Sequence, residues 1–172
     1  MATEAPTASQ TTTLTPLKVA RAIFDALSKK DLDAAFEFVS ADTVDDFVAI
    51  GEFRGAAAIR SFFDELLSAF PDFEMTVDRI VADRSTAVVQ WHAAGSFSGG
   101  MFQGIEPTGK HVDIRGVDVM DITEGRVMHN TIYYDGAAFA RQIGMLPRSE
   151  SGTDKAMLLA FNSVSRLRRR FR

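Results

Sequence analysis

The sequence predicts an α+β domain in which a long, curved antiparallel sheet wraps three N-terminal helices. Apart from the segment 44–53, apolar residues recur at helical spacing as far as residue 70, and from residue 73 onward they alternate with polar residues as in strands. The change of period falls at Pro71, because proline disfavours helix at the residue before it. The length of 172 residues suits one domain with tails, and we expect the domain to span residues 14–147.

Each of the three N-terminal helices has a recognisable start. A Thr-Pro pair at residues 15 and 16 supplies an N-cap and a first-turn proline for a helix that runs to Leu27. Asp31 can cap a short second helix, and Gly55 precedes a third helix with an apolar face. The intervening segment 44–53 is predicted to be extended and irregular.

Strands and a final short helix complete the predicted domain. The alternating segments are Phe73–Ala82, Thr86–Phe97, His111–Thr123 and Arg126–Asp135. Short polar turns join neighbouring strands, except that residues 98–110 form a longer, glycine-rich connection. A helix at about 136–143 is closed by Gly144.

The two ends of the chain are predicted to differ from the domain. Residues 1–13 are rich in Thr, Ala and Ser and lack the basic and apolar regions of a signal peptide, so we expect a disordered leader on a cytoplasmic protein. Residues 148–172 are expected to form a linker and a basic amphipathic helix. We favour packing of this helix on the domain or on a partner subunit. The alternatives are contact with an anionic membrane surface or with another protein.

Composition excludes several classes of chemistry. The chain has no cysteine, which excludes disulfides, thiol nucleophiles and thiolate metal sites. Its three histidines have no metal-ligand spacing, and no glycine-rich turn links a strand to a helix as a phosphate cradle would. We therefore expect no metal and no other cofactor. Fourteen phenylalanines against one Trp and two Tyr indicate an oily interior.

The formal net charge of −4 conceals two opposite regions. Five of the 19 Lys and Arg residues lie among the last seven positions, which contain no acid. The rest of the chain therefore carries 23 acids against 14 bases, a net charge of −9. Such an acidic domain disfavours nucleic acid and polyanionic substrates as partners.

One acid falls on the apolar face of a predicted strand. The residues of that face are Val112, Ile114, Gly116, Asp118, Met120 and Ile122. An isolated buried carboxyl such as Asp118 has a raised pKa, which suits a general base that works near neutral pH. The alternative is a structural Asp that accepts hydrogen bonds from its neighbours. Asp113 and Asp121 belong to the opposite face and are expected at the surface.

Two other strands add candidate catalytic residues. Asn130 and Tyr134 share a face of the last strand with Ile132, and their amide and phenol groups suit hydrogen bonding to an enolate or carbonyl oxygen. Alternation alone does not decide whether that face is inward. His92, whose parity in the strand is opposite to that of Trp91, is a weaker candidate, because a lone His in a strand is more often packed or exposed than catalytic. For each of these residues, simple packing or exposure is the alternative interpretation.

Several short motifs together resemble one family. They are Gly55 with Ile59-Arg60 and Phe63, FPDF at 70–73, GIEPTGK at 104–110, EGRV at 124–127, Tyr134-Asp135 and QIG at 142–144. Over about residues 15–147 the chain resembles the SnoaL-like polyketide (ester) cyclases of the nuclear-transport-factor-2-like superfamily. The motifs point to the fold more specifically than to the reaction, because this fold hosts many activities.

The resemblance implies a cone-shaped barrel with a deep apolar pocket. It also implies a homodimer paired through the sheet that binds a small apolar molecule without metal or organic cofactor. The family cyclases remove a proton next to a carbonyl with an Asp base, assisted by a His, and close a ring by aldol addition. The residues expected to line the pocket are Phe63, Trp91, Phe97, Phe102, Met120 and Ile132.

The chain departs from the family pattern at its centre. Counted from Gly125, the family His corresponds to Asp118 and the family base to Ile132. A second family His corresponds to Phe97. We therefore expect a cyclase or isomerase that uses Asp118 on a carbonyl-bearing, polyketide-like metabolite.

Besides the cyclase or isomerase, two other functions stay open. One is a non-catalytic ligand-binding or assembly module on the same fold. The other is an activity like that of limonene-epoxide hydrolase, whose Asp–Arg–Asp arrangement would require an Arg where Gly116 stands.

Overall fold

The computed structural model describes residues 14–170. Its helices are α1 (Pro16–Ser28), α2 (Leu32–Phe36), α3 (Gly55–Ala69), α4 (Gly136–Ile143) and α5 (Gly152–Arg170). Its strands are β1 (Val44–Phe47), β2 (Gly51–Arg54), β3 (Glu74–Ala82), β4 (Thr86–Ser96), β5 (His111–Thr123) and β6 (Arg126–Tyr134). The expected leader at 1–13 lies outside the described residues, and the domain boundaries stay predictions.

The N-terminal helices begin where their start signals stand. Pro16 opens α1, whose buried face includes Val19, Ile23 and Phe24. The carboxylate of Asp31 accepts the backbone N–H of Ala34 at 3.0 Å and so caps α2. Because α1 packs against β3 and β4, its apolar face covers one half of the sheet.

The strands form one curved sheet in the order β2-β1-β6-β5-β4-β3. Neighbouring strands are antiparallel, except that β1 runs parallel to β6. The α+β class is confirmed, with two differences in detail: the sheet is mixed, and it stays open between β2 and β3. The segment 44–53, predicted to be extended and irregular, is extended but regular, and it forms most of the β1–β2 hairpin. A long stretch of chain that includes α3 separates β1 from β6, so no hairpin turn imposes an antiparallel direction on them.

A β-bulge in β6 determines which residues face the interior. The register of β5 and β6 shifts between Asp121 and Ile122, which leaves Met128 without an opposing residue. Because of this extra residue, Val127 and Asn130 are both buried although their positions differ in parity, while Met128 is exposed. The face that carries Asn130 is therefore the inner one, a choice that alternation leaves open.

The glycine-rich connection between β4 and β5 is tethered to the end of α3. The N–H groups of Gly99 and Gly100 donate to the carbonyls of Ala69 and Ser68, each at 3.0 Å. A side chain at Gly99 would collide with the Ser68 carbonyl, so this approach requires glycine. The tethered segment places Phe102 in the core.

The C-terminal helix does not pack on the domain. Large apolar residues of α5 are exposed, among them Leu159 at 69% and Phe161 at 68%. Of the two packing sites expected for this helix, its own domain is therefore not the one used in the structure, and packing on a partner subunit stays a prediction. The hydrophobic core ends at Ile143, and α5 begins independently of it, with Ser151 Oγ accepting the N–H of Asp154 at 3.1 Å. No helix described between residues 14 and 170 is long and apolar enough to cross a bilayer.

Candidate active site

A cavity opens between the curved sheet and helices α1, α3 and α4. Its volume is about 680 Å³, counted out to the mouth. Its apolar wall consists of Phe24, Leu27, Phe47, Phe62, Phe63, Leu66, Phe73, Met75, Trp91, Ala93, Phe102, Ile114, Ile132 and Phe139. Its polar lining consists of Asp45, Asp118, Asn130 and Tyr134. A largely apolar cavity with a few convergent polar groups is the usual form of a small-molecule site.

Asp45, Asn130 and Asp118 form one buried group that we call the acid cluster. Their exposed fractions are 7%, 6% and 7%. They lie on three adjacent strands, β1, β6 and β5, and Asp45 and Asn130 are register partners across the parallel pair. Two carboxyl groups and one amide are therefore held together by the sheet itself and not by mobile loops.

Both oxygens of Asp118 accept hydrogen bonds from neighbouring side chains. The indole Nε1–H of Trp91 donates to Oδ1 at 2.7 Å, and the amide Nδ2–H of Asn130 donates to Oδ2 at 2.9 Å. These bonds offset part of the cost of burying the carboxylate. Each oxygen keeps a second lone pair, so the carboxylate can still receive a proton.

Gly116 makes room for the indole that holds Asp118. Gly116 is the register partner of Trp91 in the β4–β5 pair. A Cβ built on Gly116 would lie 2.6 Å from Trp91 Cε2 and closer still to two other ring atoms. Any larger residue at this position would therefore displace the indole ring.

The pKa values of the two carboxyl groups are both raised, to different extents. Burial raises the pKa of Asp118 to about 6, although hydrogen bonds from Asn130 and Trp91 lower it in part. Burial, followed by the nearby charge of Asp118, raises the pKa of Asp45 to about 7, and the adjacent Asn130 amide lowers it in part. Because Asp118 accepts two side-chain hydrogen bonds that stabilise its charged form, it is the more acidic member of the pair. Near neutral pH the acid cluster can hold a carboxylate and a carboxylic acid side by side.

Two further polar groups complete the site. Oδ1 of Asn130 is buried and has no hydrogen-bond partner among the described residues. Tyr134 is half-buried, burial raises the pKa of its phenol, and its ring meets Phe139 edge to face at 6.5 Å between centroids. The phenol therefore stays protonated at neutral pH and can donate a hydrogen bond. Among the described residues, no group of three or more His, Asp or Glu is placed to hold a metal ion.

The structure brings together most of the residues that the sequence singled out. Asp118, Asn130 and Tyr134 line the cavity, and so do the predicted lining residues Phe63, Trp91, Phe102 and Ile132. Asp113 and Asp121 are exposed, as expected.

Three predicted site residues lie elsewhere. His92 faces the outer side of the sheet, where its Nε2 lies 2.6 Å from Oδ1 of the exposed Asp113, because its parity in β4 is opposite to that of Trp91. Phe97 is fully buried and stacks on Phe70, at 5.2 Å between centroids, outside the cavity wall. Met120 lines a smaller cavity of about 410 Å³ on the other side of the acid cluster.

Asp45 is the functional candidate that sequence reasoning missed. It lies in the segment predicted to be irregular, so no alternating pattern marked it as inward. The sequence offered only a weak signal: Asp45 and Phe47 are two residues apart, the spacing of residues on one face of a strand. The structure buries both of them in β1. The pairing of Asp45 with Asn130 depends on a contact between distant parts of the chain.

The fold and site together define an α+β cone with a carboxylate pair inside an apolar cavity. A family model described as SnoaL-like polyketide cyclase matches residues 17–143, and the chain belongs to this family. No curated protein matches the chain.

Several solved structures share the fold of this chain. A protein of Jannaschia sp. CCS1, proposed to be a SnoaL-like polyketide cyclase, has a TM-score of 0.68 at 22% identity, over 77% of this chain and 93% of that one. AclR of Streptomyces galilaeus, proposed to be a hydroxylase, has a TM-score of 0.67 at 20% identity, over 88% and 94%. IdmH of Streptomyces antibioticus, proposed to be a polyketide cyclase, has a TM-score of 0.63 at 21% identity, over 75% and 98%. At these identities the similarity establishes the fold.

Proposed function

We propose that the protein is a cofactor-independent cyclase or isomerase that removes a proton next to a carbonyl group of an apolar, polyketide-like metabolite. The acid cluster carries this proposal. It combines a base, Asp118, with a weaker acid, Asp45, inside an apolar cavity. Membership of the SnoaL-like polyketide cyclase family supports the same class of reaction.

The proposed chemistry begins with proton transfer to Asp118. Its carboxylate takes a proton from the carbon next to the carbonyl, and the electron pair of that C–H bond forms an enolate. Protonated Asp45 or the Tyr134 phenol donates a hydrogen bond to the enolate oxygen, where charge develops. The enolate carbon then attacks a second carbonyl of the same molecule, which closes a ring, and the alkoxide that forms on the attacked carbonyl takes the proton back from Asp118. In the isomerase reaction, an enolate conjugated with a C=C bond takes that proton at its far carbon, which moves the double bond. Either route returns Asp118 to its carboxylate form.

The cavity wall also restricts the substrate. It contains two acids and no Lys, Arg or His. An anionic substrate would be repelled by Asp118 and would find no cationic partner in the wall. The substrate we propose is therefore neutral and largely apolar.

The experiment uses β-tetralone, an apolar ketone with acidic hydrogens next to its carbonyl. Quenching of Trp91, the chain's single Trp, reports entry into the cavity, and NMR in heavy water follows exchange of those hydrogens. We expect faster exchange with the protein than in buffer and loss of this acceleration in Asp118→Asn. Asp121→Asn, an exposed acid on the same strand, is the matched control and should keep the rate. Equal rates in Asp118→Asn and the unaltered protein would refute the proposal.

The same experiment separates the alternative functions. Binding of the ketone without accelerated exchange would favour a non-catalytic ligand-binding module. The epoxide-hydrolase alternative loses support, because no Arg lines the cavity and Gly116 is covered by Trp91. The homodimer and the cytoplasmic location stay predictions.

A further inference from the structure

The C-terminal helix α5 is amphipathic, and its apolar side is uncovered. Met157, Phe161 and Val164 follow one another at spacings of four and three residues, so they share one face of the helix. Their exposed fractions are 43%, 68% and 51%. A row of exposed large apolar side chains on a cationic helix indicates a surface that binds something.

The charge of this region is concentrated at the far end of the helix. The last seven residues of the chain contain five arginines and no acid, whereas the rest of the chain carries a net charge of −9. Arg166 and Arg169 are exposed. A helix rises about 1.5 Å per residue, so Arg166 lies roughly 20 Å along the axis from the start of α5. Screening acts over about 8 Å at physiological salt, so charges at the start of α5 exert little influence on Arg166.

We propose that α5 is a docking helix for an anionic lipid surface. The apolar face would enter the boundary between headgroups and acyl chains, and the arginines would contact anionic headgroups. The combination of features favours this partner. A nucleic acid would bind the arginines but leave the apolar row exposed to water. A lipid interface accepts irregular apolar side chains without a shaped groove and supplies the negative charge as well.

This proposal is independent of the proposed reaction. It rests on α5 alone, and the acid cluster lies in the domain. Asp118→Asn should therefore bind lipid vesicles as the unaltered protein does. Loss of catalysis and loss of lipid binding are thus separately measurable.

The test is co-sedimentation of the full chain with lipid vesicles. One set is pure phosphatidylcholine, and the other contains about 30% phosphatidylglycerol, each at about 50 mM and about 500 mM salt. We expect binding to the anionic vesicles at low salt, weakened roughly tenfold or more at high salt, and little binding to the neutral ones. Equal binding to both vesicle types, or binding to neither, would overturn the proposal.

Variants separate the contributions of apolar contact and charge. Phe161→Ser with Val164→Ser should weaken binding to anionic vesicles by roughly tenfold, because burial of apolar side chains is lost. Leu159→Ser, on the opposite side of α5, is the matched control and should bind normally. Arg166→Gln with Arg169→Gln should weaken binding and reduce its dependence on salt.

Removal of residues 151–172 provides the final check. We expect the shortened chain to lose vesicle binding while its oligomeric state stays unchanged. A shortened chain that changes oligomeric state and a full chain that ignores vesicles would together assign α5 to a second copy of the protein and refute the lipid proposal.

Discussion

The indole ring of Trp91 lies against the backbone of Gly116, its register partner on β5. This contact orients the indole N–H toward Asp118, to which it donates a hydrogen bond of 2.7 Å. Gly116 is two residues before Asp118 and faces the same side of the strand. A residue without a side chain thus allows an aromatic ring to support the buried carboxylate.

Gly116→Ala is expected to disturb the acid cluster without touching it directly. The added methyl group would displace the indole and break its hydrogen bond to Asp118, which we expect to destabilise the domain by about 1–3 kcal/mol. Trp91 fluorescence should shift, and ketone exchange should slow. Denaturant unfolding and the exchange assay measure these effects. Gly152 has open space around it, so the control Gly152→Ala should change neither the free energy of unfolding nor the exchange rate. A normal exchange rate in Gly116→Ala would contradict the positioning role of the indole.

Asp45→Asn is expected to stabilise the domain at alkaline pH. The folded-state pKa of Asp45 is raised from 3.8 to about 7, so the unfolded chain loses this proton at lower pH than the folded chain does. The free-energy cost that Asp45 imposes on folding therefore grows as pH rises from about 4 to about 7. Removal of the ionisable group should therefore raise the free energy of unfolding at pH 8 by on the order of 4 kcal/mol, with a much smaller gain near pH 4. Urea unfolding at the two pH values measures the difference. An equal gain in the free energy of unfolding at both pH values would show that burial of the Asp45 charge does not cause the stabilisation.

The rate at which the protein exchanges the ketone's hydrogens with heavy water is expected to have a bell-shaped pH profile. The rate should rise as Asp118 ionises, through a pKa of about 6, and fall as Asp45 loses its proton, through a pKa of about 7. Asp45→Asn keeps an N–H donor that does not titrate, so this variant should lose the falling limb while retaining some rate. A falling limb that persists in Asp45→Asn would assign it to another group.

Ala93→Leu is expected to fill part of the cavity. Ala93 lies in the wall on β4, so a larger side chain should weaken ketone binding by roughly tenfold or more while it leaves stability unchanged or up to about 2 kcal/mol higher. Ala94→Leu changes the next residue, on the outer face of the same strand, and serves as the control. Titration of Trp91 fluorescence and thermal unfolding provide the two measurements. Unaltered ketone binding in Ala93→Leu would place the ligand elsewhere.

Elements with strong local signals could be predicted from sequence. The expected strand His111–Thr123 matches β5 at both ends, and alternation along it correctly placed Asp118 inward. Alternation also assigned His92 to the face opposite Trp91, which is where the structure places it. Asp45 could not be found in this way, because β1 has four residues and is too short to establish a period.

The sequence by itself determined the helix starts, the long strands, the family and one buried acid, because these depend on patterns between near neighbours in the chain. Only the tertiary structure decided that Asp45 joins Asn130 and Asp118, since the parallel pairing of β1 with β6 is a long-range contact that no local pattern encodes. It also decided that Trp91 supports Asp118 across Gly116, and that α5 stands uncovered. The candidate site therefore arises from the meeting of β1, β6, β5 and β4, and each strand contributes at least one of its groups.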